Sequence, residues 1–234
     1  MIDLPAVMDG TWPAAALHRA GPWLVREGRG GGKRVSAASA EAPWRPADIA
    51  LAEAAQAALG QPALFVLRAG EEALDAELEA RGYRVVDPVV AYATPVAQLT
   101  TVPVPPVRVF DVWPPLAIQT EIWAAGGIGP ERLAVMARGG SDRTALLGRI
   151  NDRAAGAAFV ALHAGTAMLH ALHILPDQQR NGLGAHMMRG AAFWAQERGA
   201  GNLSLVVTRE NAPARALYAS LGMQIVGQYH YRMK

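Results

Sequence analysis

The segment Leu172-His-Ile-Leu-Pro-Asp-Gln-Gln-Arg-Asn-Gly-Leu-Gly-Ala185 packs three changes of structure into one short run. An apolar stretch ends at Pro176, a polar loop follows, and two glycines spaced Gly-x-Gly open an amphipathic helix. Proline stops a strand because it has no N–H for the ladder. Glycine lets the backbone come close to a bulky group, and the start of a helix presents N–H groups without intrahelical partners. Such an arrangement suits phosphate or pyrophosphate. The helix dipole alone contributes only about 0.3–1 kcal/mol, so several aligned N–H groups must share the binding.

Two familiar phosphate motifs fail here. A dinucleotide Gly-x-Gly-x-x-Gly needs glycine where Met187 stands, and a P-loop needs a lysine and a hydroxyl that the loop lacks. The other glycine-rich run, Gly28-Arg-Gly-Gly-Gly-Lys-Arg34, has Glu27 at the required first glycine and Arg34 at the required Ser/Thr. It reads as a turn.

Outward from the loop the pattern is regular. Strands are expected at 107–112, 144–151, 156–163 and 166–175, helices at 115–125, 131–138 and 183–198. A buried strand at 203–208, a helix at 213–221 and a closing strand at 224–232 complete the order. This is an α/β arrangement with an antiparallel front half. The proline-rich Val102-Pro-Val-Pro-Pro106 reads as extended chain and separates a domain over 1–101 from one over 102–234. The first half echoes the second at an offset of 140 residues: Pro62–Arg68 falls on Asn202–Thr208, and Gly82-Tyr83 on Gly222-Met223. Ala42, Trp44, Glu71 and Leu78 stand where the second half has Gly182, Gly184, Asn211 and Tyr218, so the first copy has lost its polar features.

Composition narrows the function. The 234 residues are 51% hydrophobic and 18% charged, which excludes a disordered chain. The absence of cysteine excludes a disulfide scaffold, cysteine-ligated zinc and thiol nucleophiles. The net charge of +2 comes without a basic block, so nucleic acid is not an expected partner. From Ala154 to Leu175 no Asp, Glu, Lys or Arg occurs, long enough for a membrane span. Its three histidines and a turn at Ala164-Gly165 instead indicate two successive strands. The first ten residues carry acids where a signal peptide carries bases, so a cytoplasmic location is expected.

Gln179-Arg-Asn-Gly182-Leu-Gly184-Ala185 resembles the Gln/Arg-x-x-Gly-x-Gly/Ala acyl-CoA loop of the GNAT N-acetyltransferase superfamily. Downstream, Asn211-Ala-Pro-Ala-Arg-Ala-Leu-Tyr218-Ala-Ser-Leu-Gly222-Met223 resembles its Asn-x-x-Ala-x-x-Leu-Tyr-x-x-x-Gly-Phe signature, with Met223 in place of the aromatic. The resemblance implies the GNAT acyl-CoA N-acyltransferase fold, a mixed, splayed central sheet with flanking helices. A smaller degenerate α/β domain would precede it, as in tandem members.

The resemblance also implies roles. Acetyl-CoA would be the cosubstrate, with no metal. Its pyrophosphate would meet Gln179, Arg180, Asn181, Gly182, Leu183, Gly184 and Ala185. Its pantetheine would pair with backbone at Leu172 and Ile174, and Asn211 would hold its arm. Tyr218 would donate a proton to the leaving thiolate. Met168 stands where histone-type members carry a basic glutamate, while Met168-Leu-His-Ala-Leu172 resembles the histidine strand of serotonin N-acetyltransferases. His170 is therefore the first candidate base and His173 the second, with His230 a distant option. Strand alternation puts His170 and His173 on opposite faces. Trp123–Pro130 and Tyr229–Tyr231 would border the acceptor. The expected acceptor is a small-molecule amine, with a homodimer allowed and no membrane partner. A second reading is an acyl-CoA-binding regulatory module without catalysis. Calorimetric titration with acetyl-CoA, NAD and ATP should give saturable binding for acetyl-CoA alone.

Overall fold

The computed structural model describes residues 2–234. In chain order it runs α1 (Leu4–Thr11), β1 (Ala16–Ala20), β2 (Trp23–Glu27), β3 (Ala38–Ala40), α2 (Ile49–Ala58), β4 (Leu64–Arg68), α3 (Glu72–Ala80), β5 (Arg84–Pro95) and α4 (Val96–Leu99). Then come β6 (Val109–Val112), α5 (Ala117–Ala125), α6 (Pro130–Arg138), β7 (Arg143–Ile150), β8 (Arg153–His163) and β9 (Thr166–Ile174). The chain closes with α7 (Leu183–Glu197), β10 (Asn202–Thr208), α8 (Ala212–Ser220) and β11 (Gln224–Met233).

The charge-free stretch from Ala154 to Leu175 forms the β8–β9 hairpin, paired antiparallel. The repeat at 140 residues is structural. Helix α3 at 72–80 and α8 at 212–220 keep that offset at both ends, and β5 and β11 keep it at their starts. Gly82 and Gly222, at φ +82° and +75°, make the same left-handed turn between helix and strand.

The chain divides into two units, and neither is contiguous. One holds residues up to Pro13, Ala91–Val207 and Asn211–Val226. The other holds Ala14–Val90, Thr208–Glu210 and Gly227–Lys234. The segment Val102–Pro106, read from sequence as the boundary, falls inside the larger unit. Strands β5 and β11 each begin in the unit of their own repeat and end in the other, and α1 joins the larger unit. A sequence boundary cannot show this, because strand pairing follows backbone hydrogen bonds rather than chain order. Helix α1 was also unforeseen, although Asp3 accepts the Ala6 N–H at 3.1 Å and Pro5 sits in its first turn.

In the larger unit the strand order is β5-β10-β9-β8-β7-β6. The pairs β6–β7, β7–β8 and β8–β9 are antiparallel, and β9–β10 is parallel. Helices α1 and α5 pack on β8 and β9. Helix α7 packs on β7 and β8 over the cross-strand pair Gly148–Gly156. A Cβ on Gly148 would lie 2.9 Å from the Met187 sulfur and 3.0 Å from Leu183, so glycine there sets how closely α7 approaches. Trp123, Met136, Leu146 and Phe159 are wholly buried in this unit.

In the smaller unit the order is β1-β2-β3-β4-β11-β5. Its core gathers Trp23, Ile49, Phe65, Leu74, Leu78 and Tyr83. Leu78, the counterpart of Tyr218, is fully buried there. Arg232 of β11 is 5% exposed, donates Nε to Asp75 at 2.7 Å and Nη1 to the Tyr83 carbonyl at 3.0 Å. His230 Nε2 lies 2.9 Å from the same carboxylate. Arg232 and His230 hold the Asp75 carboxyl below the usual carboxylate range against a smaller upward push from burial.

A carboxylate with a lowered folded pKa stabilises above its unfolded value, and that stability is lost as pH falls through the folded value. Asp75→Ala removes the nearer carboxylate of a buried guanidinium and leaves it only the exposed Glu79, 3.5 Å from Nη2. The expected cost is about 2 kcal/mol, below the roughly 3–5 for a wholly buried pair, because Asp75 is partly solvated. In urea unfolding the gap between variant and wild type should be widest near neutrality and shrink below about pH 4.

Candidate active site

The loop and the helix it opens lie in the larger unit with β9, β10 and α8. Arg180 and Gly182 take left-handed φ values of +61° and +77°, and Gly182 caps α7. The first backbone bond of the helix runs from the His186 N–H to the Gly182 carbonyl. The N–H groups of Leu183, Gly184 and Ala185 have no backbone acceptor among the described residues. The loop is braced from below: Gln179 Nε2 donates to the Ile174 carbonyl at 3.1 Å and Asn181 Nδ2 to the Gln178 carbonyl at 3.4 Å. Gln179, Arg180, Asn181 and Gly182 are exposed. A Cβ on Gly184 would come 2.8 Å from Leu217, so its lack of a side chain also lets α8 close on α7.

Beside the loop the sheet opens. Strands β9 and β10 pair from Thr166–Asn202 to Leu169–Leu205, yet β9 continues to Ile174 and β10 to Thr208. Leu175 donates its N–H to Ala155 on the β8 side, so alternation turns the backbone groups of Ile174, and of Leu172 before it, away from β8. The Ile174 carbonyl already accepts from Gln179. The remaining groups on this edge are open to an extended ligand.

The two histidines of β9 correct the expectation of opposite faces. His170 pairs with Phe159 and His173 with Ala157, so Ala171 and Leu172 together oppose Ala158. This is a β-bulge, with Ala171 at φ +51°. One extra residue restores phase, and His170 and His173 share a face. The Ala171 carbonyl, turned out of the ladder, accepts the Trp123 indole N–H at 2.8 Å.

Their surroundings differ. His170 is 4% exposed, and its ring lies 5.0 Å from that of Trp12. Its Nε2 is 2.9 Å from the Thr11 hydroxyl, which lies 2.6 Å from the Val7 carbonyl. A hydroxyl has one proton to donate. Given to Val7, it leaves the Thr11 oxygen to accept from His170 Nε2–H. His170 is thus tied down by α1. His173 is half-buried, and its Nε2 is buried without a hydrogen-bond partner. Burial lowers its pKa below the ordinary value of 6.5, which leaves it a neutral imidazole at pH 7. Met168 is fully buried.

Tyr218 faces inward from α8, 5% exposed, with its ring 5.6 Å from Tyr92. Burial, helped by Tyr92, pushes its phenol up to about 12. Asn211 caps α8, its Oδ1 accepting the Ala214 N–H at 3.1 Å, which leaves the Nδ2 group as a donor on an exposed side chain. Of the expected acceptor border, Trp123 and Ile128 are buried. His230, Tyr229 and Tyr231 belong to the smaller unit, where His230 is bound to Asp75. Thr11, Trp12 and Tyr92 were not foreseen from sequence, nor was the bond from Trp123 to Ala171. Asp3 and Pro5 signal α1, but nothing in the sequence indicates that α1 covers β9.

The comparisons agree with this fold. Residues 117–223 match the acetyltransferase (GNAT) family. That match runs from the start of α5 to just past α8. YobR, an uncharacterized N-acetyltransferase of Bacillus subtilis, is 25% identical over 233 residues, which cover 96% of this chain and 94% of that protein. A GCN5-related N-acetyltransferase from Kribbella flavida has a similar fold, with a TM-score of 0.70 at 23% identity over 98% of this chain and 93% of that one. A tandem GNAT protein from the clavulanic acid biosynthesis pathway aligns at a TM-score of 0.62 and 14% identity, covering 85% of this chain and 74% of that one. The mixed, splayed sheet with flanking helices is the GNAT fold.

The hydrogen-bond chain through Thr11 gives a test of His170. Thr11→Val should cost about 1–3 kcal/mol by leaving a buried donor unmatched, read by thermal or urea unfolding. Turnover per folded molecule should hold, because His170 is placed for packing.

Proposed function

We propose that the larger unit is a GNAT-type, acetyl-CoA-dependent N-acetyltransferase whose acceptor is a primary amine of a small molecule, with direct transfer in a ternary complex. The observation that carries this reading is the juxtaposition at the end of β9. An unpaired strand edge lies beside the free N–H groups of Leu183, Gly184 and Ala185, in the larger unit that also holds Tyr218 and His173.

Donors of that kind fit a pyrophosphate, and the open edge at Leu172 and Ile174 fits an extended amide-containing arm. Asn211 Nδ2 remains a donor for the same arm. Bound acetyl-CoA would supply an activated thioester with a leaving sulfur of cysteine-like basicity. Tyr218 keeps its proton at neutral pH, since burial holds its pKa near 12, and carries that proton at Oη for the departing sulfur. His173 takes the part first expected of His170. A neutral imidazole can accept a proton from the acceptor's ammonium, leaving a free amine and an imidazolium that returns its proton to water. His170 lacks that freedom, being tied to Thr11.

The smaller unit contributes none of these groups, since Leu78 and Glu71 stand in place of Tyr218 and Asn211. The lack of an acidic cluster in Trp123–Pro130 favours a small acceptor over a basic peptide.

Tyr218→Phe should leave acetyl-CoA affinity by calorimetry within about twofold. Release of free thiol with a competent amine should slow about 10²–10⁴-fold, the range for one proton-transfer group. An unchanged rate removes Tyr218 as the acid. Failure of the wild type to bind acetyl-CoA removes the whole reading, and binding without turnover across an amine panel leaves the regulatory module in its place.

A further inference from the structure

Helix α5 ends against the ring of His173. Gly126 follows the helix at φ −90° and ψ +10°, with its N–H bonded to the Ile122 and Trp123 carbonyls at 3.3 and 3.0 Å. Any L-residue accepts that backbone conformation, so glycine is not required for its dihedral freedom. Space is the constraint. A Cβ at 126 would sit 2.6 Å from both Cγ and Nδ1 of His173 and 2.8 Å from Cε1. These are atoms of a rigid ring on a strand, and they cannot swing aside as the tip of a flexible chain would.

Nor can the helix end retreat. Three residues earlier Trp123 is fully buried, and its indole is anchored on the carbonyl of Ala171, two residues before His173. The same bulge that brings His173 onto this face therefore fixes the distance between the helix end and the imidazole. Of the two ring nitrogens, Nε2 is buried without a partner. Nδ1 has no hydrogen-bond partner among the described residues and, unlike Nε2, is not wholly buried, so it is the more accessible nitrogen. It is also the one a Cβ at 126 would cover.

We propose that Gly126 is a positioning residue, which holds the Nδ1 edge of His173 open to the acceptor amine by having no side chain. The inference rests on His173 as the proton acceptor and adds the element that gives the acceptor access to it. The proton moves from the acceptor's ammonium nitrogen to Nδ1, leaving the nitrogen lone pair free and the imidazole with one positive charge. From the elements against β9, namely α1, α5, α7, β8 and β10, no charged side chain among the described residues adds to the effect of burial on this histidine.

Gly126→Ala, His173→Ala and the double variant form a closed set. Thermal unfolding and acetyl-CoA calorimetry come first. Gly126→Ala should lower the midpoint in the wild-type background and be neutral or stabilising beside His173→Ala, where the obstructing ring is gone. Acetyl-CoA affinity should hold throughout. Turnover should fall at least about tenfold in Gly126→Ala and about 10²-fold or more in His173→Ala. The double variant should be no slower than His173→Ala, since both changes remove one function.

In the free protein, the His173 imidazole followed by NMR should titrate below pH 6.5, and lower still in Gly126→Ala. Full turnover in Gly126→Ala, or losses that add in the double variant, would overturn the role of Gly126 while His173→Ala remains impaired. Full turnover in His173→Ala would instead remove the base itself, and the proposal with it.

Discussion

The hydrogen bond from the Trp123 indole to the Ala171 carbonyl is the contact around which the larger unit is arranged. A carbonyl in a regular strand points along the sheet and is used by a neighbouring strand. At Ala171 the left-handed φ of +51° turns it out of the ladder, and a buried carbonyl without a partner would be costly. Trp123 removes that cost and anchors α5 on β9 in the same act. Three consequences follow. The strand gains one residue, so His173 comes onto the face that His170 already occupies. The bulge adds bend and twist to β9 just beyond its last pair with β10, which helps the two strands diverge. The end of α5 is then held within van der Waals range of the His173 ring.

The divergence gives the site its form. A parallel pair that stops at Leu169 and Leu205 exposes backbone donors and acceptors that a sheet would otherwise use internally. In most proteins an open edge of this kind is covered or charged to prevent unwanted pairing. Here it leads to the first turn of α7, where three more N–H groups are unspent. The glycine pair on β7 and β8 sets α7 close to the sheet, and Gln179 ties the loop back to Ile174. The cradle is thus placed by packing rather than by the loop sequence alone.

The two histidines show how one strand can hold two rings in unlike surroundings. His170 donates to Thr11 and lies against Trp12, so its polarity is satisfied and its ring serves as core. His173 is only partly covered, with one nitrogen orphaned and the other reachable. Burial without compensation keeps it neutral, which suits a proton acceptor. Tyr218 shows the complementary effect, since burial beside Tyr92 keeps its proton on. In the smaller unit the counterpart Leu78 fills the core and no such pair exists.

Much of this was written in the sequence. The Gly-x-Gly helix start, the asparagine–tyrosine helix, the order of strands and the repeat at 140 residues are all local features. Turn chemistry, hydrophobic period and capping act over a few residues, so they can be read without the fold. Other features depend on distant chain segments meeting. The bulge at Ala171 needs Trp123, 48 residues away, and no spacing rule announces it. Thr11 reaches His170 across 159 residues. The exchange of β5 and β11 between the units arises because backbone hydrogen bonds accept any edge of matching geometry, whatever the sequence separation. The sequence determined the loop, the helix start and the candidate residues. Tertiary structure alone decided which histidine is free, since that depends on what each ring meets in space.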